Sequence, residues 1–135
     1  MVKMQVIYSG GLHCELTHEP SGSRIETDAP KDNMGKGERF SPTDLVGAAL
    51  ASCVLTTMAI VAERDHISLL GATASVVKEM VTTPTRRIGS LAVEVTLPNT
   101  VPVESRAKLE RAAHLCPVHQ SLHPDVQAPL VFSYV

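Results

Sequence analysis

The chain has 135 residues, 44% of them hydrophobic and 19% charged, and a formal net charge of −2. That length suits one domain, residues 1–135, with a core of its own. Lys and Arg are scattered, with Arg86-Arg87 the one adjacent pair, and form no basic stripe for phosphates, while two Phe, two Tyr and no Trp leave little surface for stacking on bases, so nucleic acid is not an expected partner.

At the amino terminus, Val2, Met4, Val6 and Tyr8 fall at alternate positions, with Lys3 and Gln5 among the residues between them. This pattern predicts a first strand and lacks the charged head and apolar core of a signal peptide, so a cytoplasmic protein is expected. Ser9-Gly10-Gly11 predicts a turn into a second strand on which Leu12, Cys14 and Leu16 alternate, with Cys14 an inward-facing strand residue. A third strand is expected around Arg24 to Asp28. A polar loop containing Gly and Pro then runs from Ala29 to Phe40, long enough to suggest a functional or mobile segment.

Ser41-Pro42-Thr43-Asp44 predicts a helix start, with Ser41 as N-cap, Pro42 at the first helical position and Asp44 at the positive end of the dipole. The helix is expected to run to about Asp65. Its stretch from Leu45 to Ala62 carries no charge and reaches the lower length limit for a membrane span. Its Ala, Gly47, Ser52, Thr56 and Thr57 make it only weakly hydrophobic, and an all-apolar helix is equally expected at the centre of a soluble protein or at a subunit interface, so no membrane is expected.

Ser68 to Val81 and Thr85 to Leu97 read as a second strand pair, and a short amphipathic helix after Pro102 is expected to bury Val103, Ala107, Leu109, Ala113 and Leu115. Pro117 restarts helical structure, Pro124 ends it, and Val126 to Val135 predicts a last strand. The order βββ, α, ββ, αα, β indicates an α+β fold with mostly antiparallel sheet and a long central apolar helix.

Three cysteines do not make a disulfide framework; in a reducing compartment they are expected to be catalytic, metal-binding or buried. Cys116 precedes Pro117, so it falls at or near an N-cap, where free N–H groups and the dipole favour a thiolate. Cys53 lies about three turns into the long helix, beyond useful reach of the dipole, and needs a neighbouring charge for activation. Taken alone, either could be a plain core residue. His114, Cys116, His119 and His123 form a competing zinc-like constellation, but Pro124 is expected to end the helix near His123 and no fourth ligand is obvious nearby. No metal or other cofactor is therefore expected.

The block Ser41-Pro42-x-Asp44-Leu45-x-x-Ala48-Ala49-x-Ala51-x-Cys53, together with Cys116-Pro117-Val118-x-Gln120-x-Leu122, resembles the two cysteine motifs of the OsmC/Ohr family of osmotically inducible and organic hydroperoxide resistance proteins. The order of elements matches that family over essentially the whole chain. The resemblance implies an OsmC-like intertwined homodimer and thiol peroxidase chemistry. In the chemistry the resemblance implies, Cys53 attacks an organic hydroperoxide, Cys116 resolves the sulfenic acid as a disulfide, and an external dithiol, a lipoyl group in some members, reduces it. It also implies a cation beside the thiolate and an acid to orient that cation. Arg39 resembles the loop arginine of OsmC-type members, and Arg24 is a second candidate. Characterised peroxidases carry Glu immediately after the motif proline, where this chain has Thr43; Asp44 matches the next position, a helix cap. This departure resembles a YhfA-like branch and predicts an arginine held without its usual carboxylate. A reading from another class is a dimeric module that binds a small apolar or thiol-reactive ligand without turnover.

Overall fold

The computed structural model describes residues 1–135. Its elements are β1 (Met4–Gly10), β2 (His13–His18), β3 (Arg24–Asp28), a 3₁₀ turn at Lys31–Asn33, α1 (Pro42–Arg64), β4 (Thr73–Val81), β5 (Arg87–Leu97), α2 (Val103–His114), α3 (Pro117–Ser121) and β6 (Leu130–Tyr134). The expected order and the α+β class hold. The chain divides into two compact units, Met1–Val46 and Gly47–Val135.

In the first unit β1, β2 and β3 form an antiparallel meander. Gly10 and Gly11 make its first turn at φ of +84° and +60°, a region open to glycine at little cost. Directly opposed residues share a face. One face therefore carries the pairs Met4/His18, Val6/Leu16, Tyr8/Cys14 and Leu16/Ile25, while the other carries His13/Asp28 and Glu15/Glu26. Met4, Val6 and Tyr8 on the apolar face are 63%, 56% and 64% exposed.

The loop after β3 is tied down along its length. Asp28 N–H donates to the Phe40 carbonyl at 3.1 Å, Ala29 N–H to Leu12 at 3.0 Å, and Gly35 N–H to Pro30 at 2.9 Å. Gly35 is required there because a Cβ would lie 1.7 Å from the Ala29 carbonyl oxygen. The loop ends on a closed capping box: Asp44 N–H donates to Ser41 Oγ at 3.0 Å, and Ser41 N–H donates to Asp44 Oδ2 at 2.8 Å. Two of the orphan donors at the helix start are thus satisfied inside the chain, and Ser41 is buried.

The second unit holds the core. Along α1, Gly47, Leu50, Ala51, Val54, Met58 and Ala62 are buried at the three-to-four-residue spacing of one helix face. Leu91, Val93, Val95 and Leu97 alternate inward on β5, and Leu109 and Ala113 of α2 are buried as well. Each large side chain taken out of water contributes roughly 1.5–3 kcal/mol. Gly47 permits the close approach, since a Cβ there would sit 3.3 Å from Leu91 Cδ2 and 3.6 Å from Val76 Cγ2. By length and composition α1 would pass for a membrane span, and a third of its most apolar window is buried in this fold. Its opposite stripe, Ala49, Ser52, Thr56 and Ile60, is exposed.

β5 pairs antiparallel with β4 and parallel with β6, so the second sheet is mixed. Arg106 lies 4.1 Å above the Tyr134 ring, and the Tyr134 hydroxyl donates to Glu110 at 3.4 Å, fastening the end of β6 to α2. Helix α1 ends at Arg64, as expected. Two expectations need correction. The strands start later than Ser68 and Val126, at Thr73 and Leu130, because a turn at Leu69–Ala72 and an isolated bridge at Gln127 precede them. Val103, Ala107 and Leu115 are exposed, leaving α2 a narrow buried face of Leu109 and Ala113.

Replacing Ser41 with Ala removes one arm of the capping box and is expected to lower unfolding stability by about 1 kcal/mol. Urea denaturation checks this, with the urea dependence of stability unchanged and only the midpoint shifted.

Candidate active site

Cys53 sits on α1 and Cys116 on the segment between α2 and α3, both inside the second unit. The fold brings them near enough that the Cys53 sulfur acts on the ionisation of Cys116, and all three cysteines of the chain are free thiols. Cys14, on the apolar face of the first sheet opposite Tyr8 and Thr27, has no part in this pair.

The two sulfurs differ in environment. Cys116 is fully buried, whereas Cys53 is half-buried. Cys116 is the N-cap of α3, with the His119 N–H donating to its Sγ at 3.4 Å, as its place before Pro117 predicts. The expected stabilisation of a Cys116 thiolate nevertheless fails. Burial pushes this thiol up, the neighbouring Cys53 adds to the effect, and the His119 and Val118 N–H groups offset only part of it. A five-residue helix supplies few aligned peptide dipoles to oppose desolvation. The balance favours the protonated form of Cys116. On the next turn of α1, Thr57 Oγ1 lies 3.9 Å from Cys53 Sγ.

The histidines near Cys116 have other partners. His119 Nε2 donates to the Ala128 carbonyl at 3.1 Å, and His123 Nδ1 accepts from the Asp125 N–H at 3.0 Å. Helix α3 ends at Ser121, so His119 and His123 do not share a helix face.

The first unit holds the candidate arginines. Arg24 opens β3, exposed and opposite Thr17. Arg39 is in the loop before α1, and it pairs with a carboxylate that is not at the motif position Thr43. Its Nε donates to Glu26 Oε2 at 3.2 Å, and its Nη1 to the Glu38 carbonyl at 3.1 Å. The motif position Thr43 serves the helix cap, with its Oγ1 3.2 Å from Ser41 Oγ. Glu26 is in turn 3.2 Å from His13 Nε2, and His13 Nδ1 lies 2.6 Å from Asp28 Oδ1. The hydrogen bonds to these carboxylates push His13 above the usual imidazole range, while Arg39 and His13 hold Glu26 low and His13 holds Asp28 low. Sequence reasoning missed Glu26, His13 and Asp28. Strand alternation puts Glu26 and Asp28 on one face, but only the β2/β3 register brings His13 to them.

The sequence profile described as OsmC-like protein matches residues 35–129. No curated protein is similar enough in sequence to match. Among solved structures, one from Psychrobacter arcticus, named for an osmotic stress induced and detoxification response, is 38% identical, with 98% of this chain and 96% of that one covered and a TM-score of 0.92. An organic hydroperoxide resistance protein OsmC from Legionella pneumophila is 19% identical, with coverage of 98% and 96% and a TM-score of 0.79. OhrB of Bacillus subtilis, an organic hydroperoxide resistance protein, is 18% identical, covers 98% of each chain and has a TM-score of 0.70. The profile match over most of the chain, the paired sulfurs and the shared fold together establish that this chain belongs to the OsmC-like protein family.

Proposed function

We propose that this protein is a homodimeric thiol peroxidase that reduces organic hydroperoxides in the cytoplasm, with Cys53 attacking and Cys116 resolving. The observation that carries the reading is the nearness of two sulfurs of unequal environment, one half-buried and one buried as a thiol. The names of the hydroperoxide resistance proteins that share the fold agree with it.

In the proposed cycle the Cys53 thiolate attacks one oxygen of ROOH. The O–O bond breaks, sulfur is oxidised to the sulfenic acid, and the departing alkoxide takes a proton to leave as ROH. Cys116 then attacks the sulfenic sulfur, a disulfide forms, and its thiol proton and the sulfenic hydroxyl leave as water. A small external dithiol, of lipoyl type in the family resemblance, reduces the disulfide by exchange. A Cys116 kept as a thiol suits this order, because it can donate a hydrogen bond to the attacking thiolate and keeps its own proton until the second step. Arg39 is assigned the cationic role by its resemblance to the loop arginine of OsmC-type members.

The dimer is supported by apolar surface that one chain leaves open. Met4, Val6 and Tyr8 on one strand, and Ile60 with Ala49, Ser52 and Thr56 on α1, are exposed. Exposed apolar side chains on a strand suit a contact with another molecule, and small residues on a helix let a second copy approach closely.

With cumene hydroperoxide and dihydrolipoamide in excess, the wild type is expected to consume many peroxides per chain. Cys53→Ser should abolish consumption, and Cys116→Ser should stop it after about one equivalent. Consumption that ends near one equivalent in the wild type would favour a ligand-binding or one-shot scavenging module instead.

Peptide mapping after one equivalent of peroxide should find Cys53 joined to Cys116 and Cys14 free. Light scattering should give twice the chain mass, and a stable monomer at micromolar concentration would overturn the dimer.

A further inference from the structure

The loop that carries Arg39 is built around one buried carboxylate. Asp28 is 5% exposed. Its backbone N–H donates to Phe40, its Oδ2 accepts from the Glu38 N–H at 3.1 Å, and its Oδ1 lies 2.6 Å from His13. Arg39 thus has both sequence neighbours tied to Asp28 while its own guanidinium is tied to Glu26. His13 joins the two carboxylates, one at each ring nitrogen.

A neutral imidazole has one N–H and one lone pair, so it can donate to only one of two ionised carboxylates. Both contacts are satisfied together only in the imidazolium, which donates to each. When the proton leaves, the short contact to Asp28 retains the remaining N–H, and Nε2 turns a lone pair toward Glu26. The other charged groups facing this cluster are Glu15, directly across the strands from Glu26, and Lys36, Glu38 and Arg39 beside a cleft of about 240 Å³ over His13 and Asp28. Glu15 repels Glu26 and so increases its need for the two cationic donors.

We infer that Glu26 is the positioning carboxylate for Arg39, supplying what Thr43 cannot, and that protonated His13, braced on Asp28, clamps Glu26 in place. The inference rests on the reading of Arg39 as the cation of the peroxidase site, and it adds a proton-dependent hold to that site. The sign follows from the shifts. His13 is raised, so the clamp is complete below the ordinary imidazole value of 6.5 and is lost as pH rises through the higher folded value. Glu26 is lowered, so the clamp is complete above the ordinary carboxyl value of 4.5 and is lost as pH falls through the lower folded value.

Two measurements on the full-length reduced protein test this. In nitrogen-15 NMR, the Arg39 Nε–H, assigned through its loss in Arg39→Lys, should give a slowly exchanging signal. It should disappear in Glu26→Gln and fade in the wild type as His13 loses its proton, with no such pH dependence in His13→Gln. A signal unchanged in Glu26→Gln, or an identical pH profile in His13→Gln, overturns the inference. In single-turnover kinetics with cumene hydroperoxide, Glu26→Gln should lower the second-order rate about tenfold, the scale of one charge-assisted hydrogen bond. The ratio of wild-type to His13→Gln rates should be largest below pH 6.5 and approach one as pH rises through His13's titration. If the wild type turns over and Glu26→Gln matches it at every pH, the inference fails while the peroxidase reading stands. If the wild type never turns over, the peroxidase reading fails and the NMR result alone decides the clamp.

Discussion

The burial of one stripe of α1 is the constraint on which the rest of the second unit depends. An uncharged run of this length within a helix cannot leave all its sides in water without cost, and Leu50, Val54, Met58 and Ala62 are taken fully out of it. Gly47 sets the distance at the start of that contact, where a Cβ would press on Leu91. Once the stripe is fixed, the helical repeat fixes what stands beside it. Cys53 is adjacent to Val54 in sequence but turned about 100° round the axis, at the margin of the buried face, where it lies near Cys116 while keeping partial access to solvent.

The same packing makes the two sulfurs unequal. Cys116 occupies a fully buried N-cap, and desolvation there outweighs the pull of two backbone N–H groups. In isolation a thiol at a helix start looks acidic, and burial works against that expectation for Cys116.

In the first unit the organising group is a carboxylate rather than an apolar side chain. Burying Asp28 is costly unless its oxygens are satisfied, and His13 and the Glu38 N–H satisfy them. What the fold gains is a loop with a defined path. The segment from Ala29 to Phe40 looks, by length and composition, like a mobile connector, yet its hydrogen bonds to Leu12, Pro30 and Asp28 give it a fixed course and carry Arg39 to Glu26.

The sequence alone determined the features that depend on neighbours along the chain. The capping box at Ser41 and Asp44, the alternation of β1 and β5, the breaks at Pro117 and Pro124 and the uncharged run of α1 are all local signals, and the helix and strand order followed from them. The two cysteine motifs are legible by resemblance, which implies that Cys53 and Cys116 share a site. Only the tertiary structure decided which groups share an environment. Strand register brought His13 to Asp28, and the fold of the loop brought Arg39 to Glu26, a carboxylate 13 residues earlier in the chain. Desolvation set the ionisation of Cys116, and the narrow contact of α2 left Val103, Ala107 and Leu115 exposed. The reason is the same in each case: burial and pairing are relations between residues far apart in sequence, and no local pattern contains them.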